Sequence, residues 1–232
     1  MASLRFLPGL RSIQAIPSSP TLRATRSCMS LPSSASSADL ALLLHTAHFA
    51  SIAHASQRRK SRLSPAYIQH PLDVARRLAA EGSSIAPNPP VAILQAAMLH
   101  DVIEDTDVTE EELRHEFGQE VTRIVLECSD DKNLTKEQRK QAQIDSAAHK
   151  SDAAKHVKLS DKLSNLTDLM SEDARPAGWS VARVQEYFVW SKRVTDLCVH
   201  VNPGLGEQLD RIYREGTFEY GGKSFKCHPS YP

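Results

Sequence analysis

The segment His100-Asp101-Val102-Ile103-Glu104-Asp105 follows directly on the apolar run Val91–Leu99, and the predicted fold is organised around this junction. The apolar run predicts a packed helix, in which successive residues are rotated by about 100°. On a continuing helix, His100, Asp101, Glu104 and Asp105 would occupy roughly 140° of one side. Four side chains that bind protons or metal ions would then face one space. An acidic helix end that merely faces water gives the same pattern, so the choice depends on the rest of the chain.

Two distant residues could join this group. His70 precedes Pro71, which is well placed in the first turn of a helix predicted over residues 71–81. Asp161 lies on a helix predicted over residues 154–170, on a face that also carries lysines. A histidine before a proline is typical of a surface or capping residue, and an acid among lysines is typical of salt bridges one turn apart. The same residues would also suit a metal site beside cations that bind phosphate.

The basic run Gln57-Arg58-Arg59-Lys60 also allows two interpretations. It ends a predicted helix, where positive charge is favoured by the helix dipole. It could equally offer guanidinium forks and an ammonium group to phosphate oxygens. The run alone does not decide between the two.

The remaining chain predicts an all-α fold, a single helical domain over residues 38–215. Asp39 can cap a helix that runs to about residue 56, and Thr109 with Glu112 forms a capping box for a helix that ends at Gly118. Alternation of the strand type is scarce. The tail, residues 216–232, is rich in glycine, proline and aromatic residues and is predicted to be irregular. Further helices are predicted over residues 120–128, within residues 134–150, and over residues 179–201 and 204–214.

Composition excludes several classes of protein. The 28 basic and 28 acidic side chains give a formal net charge of zero, which argues against a sequence-blind nucleic-acid binder. The four cysteines are far apart and form no CxxC pair, so we expect neither a zinc knuckle nor a disulfide framework. No apolar run has the length needed to cross a bilayer, so we expect no membrane partner.

The first 37 residues have a different composition. They contain arginines and many serines, and no acidic residue precedes Asp39. Such a composition is typical of an organelle transit peptide, with an ordinary tail as the alternative. Mitochondrion and plastid are not distinguished, and initiation at Met29 would give a cytoplasmic form.

The order His70, His100-Asp101, Asp161 resembles the HD superfamily of metal-dependent phosphohydrolases. Further segments resemble the small alarmone hydrolases of the RelA/SpoT family, of the metazoan SpoT-homologue type. The resemblance covers about residues 39–213, and several segments in the right order make it specific. They are QRRK (57–60), AYIQHP (66–71), AAMLHDVIEDT (96–106), SDDK (129–132), VKLSDKLSNLTDL (157–169) and WSVARVQEYFVW (179–190).

The resemblance implies hydrolysis of the 3′-pyrophosphate of guanosine tetra- or pentaphosphate, with one bound Mn²⁺ and without a synthetase domain. It implies that His70, His100, Asp101 and Asp161 are the metal ligands and that Glu104 and Asp105 activate water. The resemblance also implies contacts with the nucleotide or its phosphates for five residues: Arg58, Arg59, Lys60, Lys162 and Asn165. Apart from the resemblance, Tyr67 could stack on the guanine ring or serve only in packing. Gln69, Ala66 and the loop 61–64 depart from the family pattern, but none is a ligand position.

The chemistry of the residues supports part of this picture without the family. Two imidazoles and two carboxylates leave positions open on a divalent ion for water and a phosphate oxygen. They suit zinc as well as manganese, and the motifs contain no further histidine for a second ion. Two alternatives remain. The protein could hydrolyse another phosphorylated nucleotide, or it could be a non-catalytic module that binds guanine nucleotides. The sequence makes no prediction about oligomeric state.

Overall fold

The structure is a computed structural model that describes residues 36–81 and 90–231. The predicted leader therefore lies outside the described residues, apart from its last two positions. Helices alternate with short connections, and a small hairpin follows the last helix. The elements are α1 (Ser37–Ala53), α2 (Gln69–Glu81), α3 (Val91–Leu99), α4 (Val102–Asp105), α5 (Glu110–Cys128), α6 (Lys136–Ala147), α7 (Asp152–Met170), α8 (Val181–Thr195), a 3₁₀ turn (Val199–Val201), α9 (Pro203–Glu215), β1 (Thr217–Tyr220) and β2 (Lys223–Lys226).

The central element is α7, which packs against α2, α3, α5, α8 and α9. Its apolar residues, among them Leu159, Leu163 and Leu166, are fully or almost fully buried. The polar residues Ser160, Asp161 and Ser164 of the same helix are buried as well. Because a helix that is buried all round must bury its polar face too, α7 brings polar side chains into the interior, where they need partners.

The apolar run of α3 packs between α1, α2, α5 and α7. Its one polar residue, Gln95, is buried and donates from Nε2 to Oγ1 of Thr46 on α1, at 2.9 Å. This bond satisfies a polar group that burial would otherwise leave without a partner. The element that precedes His100 is therefore fixed on several sides.

Helix boundaries follow the capping chemistry closely. The predicted capping box of α5 is confirmed: Oγ1 of Thr109 accepts from the amide of Glu112, whose carboxylate accepts from the amide of Thr109. In α1 the prediction was wrong by three residues, because Ser36 is the N-cap and Asp39 closes the box as its third helical residue. The helical domain therefore starts inside the stretch that composition assigned to the leader.

The predicted helix over residues 179–201 was too long at both ends. It begins after Ser180, whose hydroxyl accepts from the amide of Arg183, and it ends at Thr195. The chain must turn before Pro203, where Asn202 caps α9 by accepting from the amide of Leu205 at 3.0 Å. The separate helix predicted over residues 204–214 is α9, which starts one residue earlier than predicted.

The prediction of an irregular tail was wrong for residues 217–226, which form an antiparallel hairpin. Gly221 and Gly222 have φ values of 57° and 74°, which permit the tight two-residue turn between the strands. Phe218 is 2% exposed, and the backbone oxygen of Glu219 accepts from Nη1 of Arg175 at 3.1 Å. The all-α prediction is confirmed for the domain, and the hairpin is an addition docked on it.

Candidate active site

Three of the four predicted metal ligands meet between α2, α3 and α7. The ligand atoms of His70, His100 and Asp161 all lie within 4.8 Å of one another, and the three residues are buried. Oδ1 of Asp161 lies 3.2 Å from Nε2 of His70 and 3.7 Å from Nε2 of His100. A start of one helix, the end of another and the middle of a third thus contribute to one cluster.

Asp101 completes the set from the side. Its Oδ2 atom lies 3.1 Å from Nε2 of His100 and 4.0 Å from Nε2 of His70. The helix does not continue through this residue, because α3 ends at Leu99 and Asp101 has φ −104° and ψ −3°. The wheel of a single continuous helix was therefore the wrong geometry, although the four predicted ligands still come together.

The state of His100 suits a cation. Its Nδ1 atom lies 2.9 Å from the backbone oxygen of Ala97, so Nδ1 carries a proton and Nε2 is the ring nitrogen that faces the cluster. Nε2 is buried and, despite the carboxylate of Asp101 nearby, makes no well-directed hydrogen bond. A buried nitrogen without a partner is costly. A divalent ion between the two imidazoles and the carboxylates would supply that partner, so the residues present fit a metal.

The charged groups around the cluster also favour a bound cation, because they keep its carboxylates ionised. Burial alone would raise the pKa of Asp161, but Lys162 and the two imidazoles lower that pKa well below its usual value. Burial opposes the shift at Asp101 too, where His100 and then His70 lower the pKa. The carboxylates in turn raise the pKa of His100 well above its usual value, although burial opposes this. Two ionised carboxylates in a buried site attract a cation.

Glu104 and Asp105 belong to α4, directly after the ligands. Burial is the main cause that raises the pKa of both side chains, and the charge of Asp101 adds to it. Oε2 of Glu104 accepts from the backbone amide of Asp130 at 3.2 Å. The two carboxylates line different cavities, Asp105 the smaller and Glu104 the larger.

These cavities have volumes of about 280 Å³ and 640 Å³ and share part of their lining. The shared wall is aromatic and basic, and it faces both acidic residues of α4. A wall of this kind suits a ligand with both a flat ring and phosphate groups. The residues common to both cavities are Lys60, Pro176, Trp179 and Tyr187.

The basic run 57–60 lies along the smaller cavity. Nη1 of Arg58 donates to backbone oxygens of Ala55 and Gln57, so this guanidinium folds back on its own chain. Nη2 of Arg59 donates to Asp168 at 2.7 Å and to Asn165 at 3.2 Å. The run is thus tied to α7 rather than left as a free helix end.

The other predicted substrate residues contact the ligand carboxylates. The hydroxyl of Tyr67 donates to Oδ2 of Asp101, and Nδ2 of Asn165 donates to Oδ1 of Asp161 at 2.6 Å. Nζ of Lys162 lies 3.1 Å from Oδ2 of Asp161 and 4.6 Å from the ring centre of Trp190. Tyr67 also lines the smaller cavity. It therefore contacts both the predicted metal ligand Asp101 and the cavity.

Sequence reasoning missed the wall of the larger cavity. This wall carries the aromatic residues of α8 together with cations from α6 and α8. Two tryptophans and one arginine at helical spacing in 179–190 were the available signal, but such spacing is also typical of ordinary packing. The cations and indole of this wall are Lys136, Arg139, Lys140, Arg183 and Trp190.

Two imidazoles and two carboxylates, brought together by packed helices, form a donor set of the kind found in metal-dependent hydrolases. The family model described as HD domain matches residues 46–186, a span that contains all four predicted ligands. The chain belongs to the HD domain family, in the group of the MESH1 proteins, and HD domains are metal-dependent.

The similar proteins cover about three quarters of this chain. The guanosine-3′,5′-bis(diphosphate) 3′-pyrophosphohydrolase MESH1 of Xenopus tropicalis is 47% identical over 169 residues, which are 73% of this chain and 91% of the relative. The protein of the same name from Homo sapiens is 44% identical over the same shares of the two chains. A solved structure described as a metazoan ortholog of SpoT that hydrolyses ppGpp superimposes with a TM-score of 0.69 at 40% identity. It covers 75% of this chain and 94% of its own.

In residues 36–81 and 90–231, no helix combines the length and the apolar character that crossing a membrane would require.

Proposed function

We propose that this protein hydrolyses guanosine 3′,5′-bis(diphosphate), and the corresponding pentaphosphate, at the 3′-pyrophosphate to give GDP or GTP and pyrophosphate. The observation that carries the proposal is the buried set of His70, His100, Asp101 and Asp161 in a chain that is 47% identical to a hydrolase of that substrate. The substrate class follows from this likeness, and the chemistry follows from the site.

The ion we propose is a single Mn²⁺, held by His70, His100, Asp101 and Asp161. When bound, it would lower the pKa of a water molecule and polarise a phosphate oxygen. Manganese is favoured by the family resemblance, whereas imidazole ligands also suit zinc. Metal-free protein reconstituted with each ion should regain activity with Mn²⁺, and activity with zinc alone would correct the choice of ion.

Glu104 and Asp105 are the proposed proton acceptors. Glu104 is partly buried, and Asp105 is more exposed. The pKa of each is raised, which suits a group that must take a proton near neutral pH. The water oxygen would form a bond to the phosphorus attached to the ribose 3′ oxygen, and one water proton would pass to this pair. The bond between that phosphorus and the 3′ oxygen would break, and the 3′ oxygen would take up a proton to become the hydroxyl of GDP or GTP. Because neighbouring carboxylates titrate together, the role of base is assigned to the pair.

Cations along the cleft would balance the charge of the diphosphates. Arg59 and Lys60 line the smaller cavity, and Lys162 lies beside Asp161. Fixed positive groups in a partly buried cleft stabilise developing negative charge better than water does, because they need no reorganisation. Arg58 and Asn165 line the same cavity and Tyr67 offers its ring there, so these residues complete the proposed nucleotide site.

The test is incubation of the purified protein with Mn²⁺ and guanosine tetraphosphate, followed by chromatography of the products. GDP and pyrophosphate in equal amounts are expected. Release of inorganic phosphate, or preferential turnover of another nucleotide in a panel, would assign a different substrate. Binding without turnover would show a non-catalytic module.

The composition of the leader, residues 1–37, supports a proposal about the cellular compartment of the protein. This arginine- and serine-rich composition favours import into a mitochondrion or plastid, with a cytoplasmic form if translation starts at Met29. Fluorescent fusions with and without the first 28 residues test this. Identical distributions of the two fusions would remove the targeting role.

A further inference from the structure

The environment of His70 differs from that of His100 on the side away from the ligand cluster. Both imidazoles direct Nε2 at the cluster, but Nδ1 of His100 is held by a backbone oxygen. Nδ1 of His70 instead lies 3.2 Å from Oγ of Ser164 on α7, with the His70 side chain only 2% exposed. The orientation of His70 therefore depends on a side chain.

Ser164 has a second partner that decides which way this contact runs. Its hydroxyl lies 2.8 Å from Oδ2 of Asp73, one turn after His70 on α2. An ionised carboxylate only accepts, so the single hydroxyl proton of Ser164 is donated to Asp73. Towards His70 the serine oxygen can then only accept. Nδ1 of His70 must carry the proton, and Nε2 keeps its lone pair for the cluster.

Asp73 is fixed in the ionised form that this arrangement needs. Burial opposes ionisation, but hydrogen bonds from Arg77, Arg76 and Ser164 lower the pKa of Asp73. Nε of Arg77 lies 2.6 Å from Oδ2, and Nη2 of Arg76 lies 2.7 Å from Oδ1. Arg77 and Ser164 thus share Oδ2 of Asp73, and Arg76 holds Oδ1.

We propose that Asp73 and Ser164 are positioning residues that act as a relay, fixing the tautomer and ring direction of His70 so that its Nε2 is ready to bind the metal. The inference rests on the proposed metal centre and deepens it. Partners of this kind behind a ligating histidine set its orientation and basicity, and their loss typically costs about 10–100-fold in metal affinity.

The chain offers a matched control for the serine. Ser160 lies one turn earlier on α7, is also buried, and donates to the backbone oxygen of Val74 on α2 at 2.7 Å. Ser160→Ala removes an equally buried hydroxyl between the same two helices but no contact to a ligand. For the carboxylate, Arg76→Ala removes the more exposed of the two arginine partners of Asp73. It leaves the bonds of Asp73 to Arg77 and Ser164, which keep the carboxylate ionised and in place.

The experiment measures Mn²⁺ binding to the metal-free full-length protein by equilibrium dialysis. Ser164→Ala and Asp73→Ala should each weaken binding about 10–100-fold, whereas Ser160→Ala and Arg76→Ala should bind as the wild type does. Wild-type affinity in Ser164→Ala would overturn the relay. Equal weakening by Ser160→Ala would reduce the effect to general packing and would overturn it too.

A second measurement separates the relay from the proposed function. Nitrogen-15 NMR of the metal-free protein reports the imidazole tautomer without any metal or substrate. His70 should be protonated at Nδ1 in the wild type and should lose this preference in Ser164→Ala. If the wild type bound no Mn²⁺, the proposed metal centre would fail while the spectrum still decided the relay. A His70 protonated at Nε2 in the wild type would contradict the relay whatever the dialysis showed.

Discussion

Nε2 of His70 lies 3.2 Å from Oδ1 of Asp161, although the first residue belongs to the opening turn of α2 and the second to the middle of α7. Burying an imidazole and a carboxylate this close is costly unless each gains a partner. Packing of α7 against both α2 and α3 holds them together. The stability of the helical core therefore supports the geometry of the site.

Removing one ligand should remove both metal and turnover. Asp101→Ala deletes the carboxylate 3.1 Å from Nε2 of His100 and leaves the hydroxyl of Tyr67 without its acceptor. Substituting a residue that only contacts a metal ligand typically weakens metal binding by about 10–100-fold. The metal content of purified Asp101→Ala should fall by more than this, and hydrolysis should fall with it. Asp107→Ala is the matched control, since Asp107 follows the motif and is not among the four ligands. Full metal content and wild-type hydrolysis in Asp101→Ala would refute the ligand assignment.

Removing a proton acceptor should have a different signature. Glu104→Gln keeps the shape of the side chain and can still accept from the amide of Asp130, but it cannot take a proton at neutral pH. We expect kcat to fall about 10²–10⁴-fold with metal content unchanged. Asp105→Asn belongs in the same series, because the two carboxylates share the proposed role. The assignment fails if both variants retain the wild-type kcat.

The pH dependence should follow the raised pKa of the two carboxylates. Burial raises the pKa of Glu104 and Asp105, so their ionised form is lost at a higher pH than in a free side chain. A base must be ionised to act, and kcat/KM should therefore fall on the acid side with an apparent pKa above about 4.3, the value of a free glutamate. A pH–rate profile at constant metal saturation measures this. An acid limb at or below the free value would contradict the prediction.

Arg59 should matter for substrate affinity more than for the chemical step. The guanidinium is held by Asp168 and Asn165 at the edge of the smaller cavity. Loss of a charge-assisted hydrogen bond of about 1.5–3 kcal/mol corresponds to a rise in KM of about 10–100-fold with little change in kcat. Arg62→Ala, which removes a nearby exposed arginine paired with Asp173, is the control. An unchanged KM for Arg59→Ala would assign this residue to structure alone.

The C-terminal hairpin should contribute to stability. Phe218 is 2% exposed, and the guanidinium carbon of Arg175 lies 4.8 Å from the centre of the Phe218 ring. Phe218→Ala should therefore lower the free energy of unfolding by about 3–5 kcal/mol. Its cross-strand partner Phe225 is only partly buried, and Phe225→Ala should cost less. Denaturant unfolding compares the two. Equal, small losses would mean that the hairpin is not part of the cooperative fold.

Much of the fold could be predicted because short-range chemistry decides it. The capping box at Thr109 and Glu112 and the apolar run of α3 act within a few residues, and both predictions are confirmed. The hairpin had a local signal as well, since Gly221-Gly222 between short aromatic stretches is typical of a two-residue turn. The overall glycine and proline content of the tail favours an irregular segment, but the turn is decided by the position of these two glycines between the strands.

The site was predictable only in part, because its contacts join distant segments. The order of His70, His100, Asp101 and Asp161 along the chain indicates the ligands, and the structure brings these side chains together. Their mutual direction depends on the break after Leu99 and on Ser164, neither of which has a sequence pattern of its own. A serine in a helix is compatible with many roles, so the link from Asp73 to His70 emerges only once α2 and α7 are packed.

The central claim is that three helices hold one divalent cation between two imidazoles and two carboxylates. Anomalous diffraction from crystals of the protein grown with Mn²⁺ tests it most directly. The account predicts a single manganese peak within about 2.5 Å of Nε2 of His70, Nε2 of His100 and an oxygen of Asp161, with Asp101 as the fourth protein ligand. A fully soaked crystal with no peak between these side chains, or with manganese bound elsewhere, would contradict it.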